Sequence, residues 1–165
     1  MTSKFIEFVE KELHSAYFLT KHFQKYETNI NQTEFNINVF LNNIEKIKRL
    51  DGFLICCFTF YYSNYVGQDL KKECINKLNI KSHDYSEKDN RYSNFQSSAN
   101  YIVKMGIVET VNPEISLNIL IGVKIARLKE LLTSGKVPKN ESITDSLIDL
   151  INYRLLLEGY RLGLQ

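Results

Sequence analysis

The chain has 165 residues, of which 44% are hydrophobic, and a formal net charge of +2. That length supports one domain with a real core, taken here as residues 1–165, and no low-complexity tract breaks it. That net charge is too small to establish a nucleic-acid or membrane partner, so any basic surface must come from local clustering.

The opening MTSKFIEFVEKEL carries charge every few residues and does not read as a signal peptide. The most apolar run, Phe53 to Tyr62, is shorter than the roughly 18–20 residues that a membrane span needs. A cytoplasmic chain with no membrane partner is therefore expected. Cys56, Cys57 and Cys74 are an odd set within one helical stretch, which points to buried reduced thiols.

In chain order, the first predicted helix runs from Ser3 to about Tyr26, with Thr2 or Ser3 as its cap and Phe5, Val9, Leu13, Ala16, Leu19 and Phe23 as its stripe. Glu27 to Thr33 is polar and predicts a loop. A second helix follows from Glu34 to Leu50, with Asp51-Gly52 as a break or a kink. Leu50 to Leu78 then predicts the central helix. It opens apolar on every side, the pattern of a buried helix, and turns amphipathic through Val66, Leu70, Cys74 and Leu78.

Ile80 to Arg91 is charged and aperiodic, so a loop is expected there. Ser93 starts a fourth helix that Gly106 stops, and Ile107 to Val111 is an extended link. Asn112-Pro113-Glu114 reads as the start of a fifth helix ending at Gly135. Ser142 with Asp145, or Thr144, caps the last one, whose apolar face holds Leu147, Ile148, Ile151, Leu155 and Leu162. The class is all-α: a single-domain bundle of five to six helices around the central apolar helix, about 50–78.

Few residues point to chemistry. His14 and His22 are eight apart, about 80° around a helix, so they share no ligand face. No zinc, nucleophile-elbow, P-loop or dinucleotide motif occurs. His83 with Asp84 and Glu87 is a possible metal group, but a solvated loop accounts for it as well, and neither metal nor cofactor is expected. Tyr61, Tyr62 and Tyr65 have the composition of a base-stacking platform, and packing explains them more simply. Lys71, Lys72, Lys81, Lys88 and Arg91 suggest a phosphate patch, but acidic residues are interleaved with them. In the last helix Arg154 and Glu158 have ion-pair spacing. Arg154 and Arg161, seven apart, lie on nearly one face and form a candidate anion-binding pair.

Three stretches carry a family resemblance: the apolar helix Lys48 to Leu78, the segment RYSNFQSSANYIVKMGI (Arg91 to Ile107), and the final helix Leu147 to Tyr160 with its Arg154. Together they resemble the HEPN superfamily of small helical domains, in particular bacterial members of toxin-antitoxin and phage-defence systems. The first looks like that family's second long helix, the next like its short helix ending in Gly, and Arg154 matches its motif Arg. The motif is broken here. Leu155 stands where Asn is frequent, the His position falls near Gly159, and no His follows His83.

The resemblance implies a homodimer in which two Arg-His motifs form a metal-independent ribonuclease site. With the His absent, it implies binding of RNA or nucleotide without competent cleavage. Arg154 would then hold phosphate, with Arg161 beside it and Tyr160 stacked on a base. The alternative is a non-enzymatic protein-protein interaction or dimerisation module, docking through Tyr61, Tyr62, Tyr65 and the C-terminal LLLEGYRLGLQ.

Overall fold

The helical periods become seven α-helices in the computed structural model, which describes residues 3–24, 32–65, 67–85, 90–106 and 112–164. They are α1 (Lys4–Gln24), α2 (Gln32–Asn43), α3 (Leu50–Asn64), α4 (Leu70–Tyr85), α5 (Ser93–Lys104), α6 (Pro113–Ser134) and α7 (Ile143–Arg161). No strand occurs among the described residues, so the all-α class holds, with more helices than the five to six expected. The expected link at 107–111 lies outside the described residues.

The caps that are legible in the sequence do form. The Ser3 hydroxyl accepts from the Ile6 amide at 3.3 Å, and Asn112 accepts from Ile115 at 3.2 Å ahead of Pro113. Ser142 and Asp145 build a capping box at the start of α7. Gly106 and Gly135 follow α5 and α6 with φ of 72° and 64°, a left-handed conformation that favours glycine.

The central stretch is where the structure departs from the expectation. Residues 50–78 are not one helix. α3 stops at Asn64, and α4 begins at Leu70 and continues to Tyr85, into the expected loop. Three local features make the break. Asn64 and Ser63 turn their side chains back onto the carbonyls of Phe60 and Thr59, Gly67 has φ 88°, and the Asp69 carboxylate caps the amides of Lys71 and Lys72.

The break before α3 also moves. It falls ahead of Asp51-Gly52, which lie inside the first turn of α3, and Arg49 is extended at φ −77° and ψ 139°. A continuous helix would pair the Gly52 amide with the Lys48 carbonyl. Arg154 of α7 takes that carbonyl instead, and the Gly52 amide turns to the Asp51 side chain at 2.8 Å.

One core draws on all seven helices. α3 packs on α1, α2 and α7, and α7 packs on α6, α4, α3 and α1, so the two share the centre. α7 is buried along most of its length, from Ser146 to Leu157 apart from half-buried Tyr153. Gly159 lets it approach α1: a Cβ there would lie 2.5 Å and 2.7 Å from ring carbons of Phe5, which is fully buried.

Gly159→Ala will therefore lower the melting temperature in a thermal scan. Alanine gains about 1 kcal/mol of helix propensity. Overpacking against a ring that cannot move costs about 1–3 kcal/mol. A raised melting temperature would show that Phe5 yields.

Candidate functional site

The C-terminal end of α7 faces the α2–α3 turn and the first half of α1. Between them lies a cleft of about 510 Å³, lined by Phe8 and Glu12, by Lys48, Arg49 and Asp51, and by Glu158 and Arg161 with their neighbours. Arg49 extends into solvent, with 85% of its side chain exposed, and pairs with Asp51 at 2.8 Å. Arg161 bonds Glu114 at the start of α6 through both Nε (2.9 Å) and Nη2.

The three residues singled out in the sequence do not converge on one point. Arg161 reaches the cleft. Arg154 is 7% exposed and lies beneath it. Its Nη2 donates to the Lys48 carbonyl, its Nη1 is 3.8 Å from Glu158, and its guanidinium sits 5.8 Å from the Phe53 ring centroid. Burial pulls its pKa down, while the nearby Glu158 carboxylate pushes it up. Tyr160 faces away and packs edge-on against Tyr92 at 5.3 Å.

A second polar group lies on the opposite stretch of α7. The Asp149 carboxylate is 5% exposed and receives three lysine amines: Lys77 at 3.0 Å, Lys81 at 2.7 Å and Lys124 at 2.8 Å. Lys124 also holds Glu141 at 2.6 Å, and Arg127 donates to the Ser146 hydroxyl at 3.0 Å and the Glu141 carbonyl at 2.7 Å. Burial alone would raise the Asp149 pKa, but hydrogen bonds from the lysines outweigh it and hold the carboxyl below the usual range. The sequence does carry a signal for this cluster. Lys77/Lys81 on α4 and Asp145/Asp149 on α7 both have four-residue spacing, so each pair shares one helix face.

The basic residues that suggested a phosphate patch do not come together as one. Lys81 is bound to Asp149, Arg91 lies 4.0 Å over the Phe5 ring, and Lys88 falls outside the described residues. Tyr61 is fully buried, with its hydroxyl on Gln68 at 2.9 Å, so it serves packing rather than an open platform. All three cysteines are unpaired; Cys57 and Cys74 are buried as expected, whereas Cys56 is only half-buried, and burial pushes Cys56 up to about 11 and Cys57 well above its ordinary value. His83 lies in α4 rather than in a loop, and Glu87 falls outside the described residues. Among the described residues no group of three or more His, Cys, Asp or Glu could hold a metal, and no helix is long and apolar enough to cross a membrane. Comparison with known protein families, with curated proteins and with solved structures finds no match to this chain.

Asp149→Asn will take from three lysine amines their shared buried carboxylate and cost about 3 kcal/mol at pH 7, the low end for breaking a buried pair, since the lysines are partly solvated and keep other partners. The folded pKa of Asp149 lies below the unfolded value of about 3.9, so its contribution is present above that value and lost as pH falls through the folded one. The melting-temperature gap between wild type and variant should therefore close on acidification. A gap that is independent of pH would assign the loss to packing.

Proposed function

We propose that the chain is a HEPN-like helical module that binds RNA or nucleotide without cutting it, in a toxin-antitoxin or phage-defence setting. The cleft at the end of α7 supports this reading. It places Lys48, Arg49 and Arg161 around one opening, with Arg154 bracing the Lys48–Arg49 turn from below. Arg154 thus acts as a positioning residue rather than a phosphate ligand.

The rim arginines are held by exposed pairs, Arg49 to Asp51 and Arg161 to Glu114. Such pairs contribute little in water. A phosphate offers arginine a stronger, bidentate acceptor and can replace them.

A labelled short RNA, titrated with the purified chain and followed by fluorescence polarisation, tests this. The double variant Arg49→Gln/Arg161→Gln should weaken binding at least about tenfold and lower the slope of log K against log salt by about 1.4, two phosphate contacts on a single strand. Unchanged affinity in a variant that melts like wild type would retire the cleft.

A second reading, self-association, is favoured by the outer face of α6. Ile119 and Val123 are 49% and 55% exposed, and Asn118, Gly122 and Ala126 are exposed beside them. Lys124 and Arg127 turn inward to Glu141, Ser146 and Asp149, so that face carries no charge from Ile115 to Ala126. Sedimentation of the wild type should show a dimer that Val123→Glu dissociates. A wild-type monomer at high concentration would exclude this reading.

A further inference from the structure

We infer, on the reading of the α7 cleft as a nucleotide site, that it selects guanine. It would take one guanosine phosphate unit, free or within RNA, with the base edge on Glu12, the ring against Phe8 and the phosphate among Lys48, Arg49 and Arg161.

Three carboxylates line this cleft, Glu12, Asp51 and Glu158, and in a site for phosphate alone they would only repel. Two of them are occupied. Asp51 accepts from the Arg49 guanidinium and from the Gly52 amide, each at 2.8 Å. Glu158 lies 3.8 Å from Nη1 of the buried Arg154, whose charge needs a counter-charge nearby. The Glu12 carboxylate has no hydrogen-bond or ion-pair partner among the described residues, although the residue is half-buried. The exposed Lys48 ammonium has none there either. The cleft therefore holds a vacant acceptor and a vacant cation together.

The surroundings of Glu12 limit what can fill both. Phe8 stands one turn before it on the same face of α1 and is also half-buried, so part of an aromatic ring is open beside the carboxylate. An ionised carboxylate accepts hydrogen bonds and donates none. A fitting ligand brings a flat group to stack, an N–H edge for Glu12 and a negative charge for the cations, and a nucleotide has all three. A polyanion without bases would face the Glu12 charge with no donor to offer it. A basic peptide would satisfy Glu12 and be repelled by Lys48, Arg49 and Arg161.

The donor edge decides the base. Guanine presents N1–H and an amino hydrogen side by side, and both can reach the two oxygens of one carboxylate. Adenine and cytosine present one amino hydrogen beside a ring-nitrogen acceptor, and uracil presents N3–H between two carbonyls. Each of these sets an acceptor against a carboxylate oxygen, which leaves a bond unmade and adds repulsion.

The test uses the full chain with a labelled oligouridylate carrying a single guanosine, and the same strand with adenosine or inosine in its place, followed by fluorescence polarisation. Wild type should bind the guanosine strand at least about fivefold more tightly than the adenosine strand, the low end for one bidentate base contact. Inosine keeps N1–H but lacks the amino group, and should fall between them. Glu12→Gln should abolish the guanosine preference and leave the adenosine strand bound at least as tightly as by wild type, which a misfolded variant could not do. Equal affinity of wild type for the guanosine and adenosine strands, or a guanosine preference that survives Glu12→Gln, would overturn the assignment. Unlabelled GMP and AMP as competitors separate the two sources of the unit. Displacement by GMP over AMP assigns the site to the free nucleotide as well, and discrimination by the strands alone assigns it to RNA.

Arg49→Gln/Arg161→Gln, run in parallel, separates the base preference from the cleft itself. If that variant weakens both strands while wild type binds them equally, the cleft stands and the guanine preference falls. If that variant leaves both strands unchanged, the cleft falls and the preference with it. No binding by wild type at low salt overturns both.

Discussion

A helix buried along most of its length must find a partner for every polar side chain it carries, and α7 carries several. Ser146, Asp149, Asn152 and Arg154 are all at or below 7% exposure. Leaving such groups unpaired in an apolar interior costs more than most single packing contacts supply. Each has a partner in another part of the molecule, although the Asn152 Oδ1 itself accepts from no group among the described residues. Asp149 gathers Lys77 and Lys81 from α4 and Lys124 from α6. Asn152 donates to the Cys74 carbonyl at 3.1 Å, and Arg154 reaches back to Lys48. Hydrophobic burial brings these helices together, and the polar ties select one register among the ways they could pack.

Arg154 shows how such a tie shapes the surface above it. The carbonyl it takes is the one a continuous helix would have given to Gly52, so the chain breaks between α2 and α3 and the turn Lys48–Arg49 is held at the end of α7. The cleft forms where that turn, α1 and the last residues of α7 meet. An arginine buried in this way must make its contacts in fixed geometry, and the planar guanidinium suits that better than an ammonium would. Its place in the proposed activity is to position the residues of the rim.

The same inward demand leaves two unlike outer faces. On α6 the charged side chains of the middle turns are drawn in by Asp149 and Glu141, and what remains outside is Asn118, Ile119, Gly122, Val123 and Ala126. On α1 the core takes Phe5, Val9, Leu13 and Ala16, and what remains outside mixes Glu7 and Glu10 with Lys4, Lys11 and Lys21, beside His14, Phe18 and His22. An uncharged face suits another protein surface.

The sequence by itself determined the all-α class and the helices α1, α2, α5, α6 and α7 with most of their ends, because caps and periodicity are local. Ser142 with Asp145, Asn112 before Pro113, and the left-handed glycines 106 and 135 act through neighbours a few residues away. The apolar run from Phe53 to Tyr62 announced a buried helix for the same reason. The break at Gly67 was also written locally, in Asn64, Gly67 and Asp69, and the long apolar period across it masked the signal. The fate of each arginine and lysine was decided only by the tertiary structure. Arg154 looked like a ligand because it stands four residues from Glu158 and seven from Arg161, spacings that place side chains on one face but do not say what covers that face. The partner that buries it, the Lys48 carbonyl, lies more than a hundred residues away in the chain, and no local pattern encodes a contact of that range.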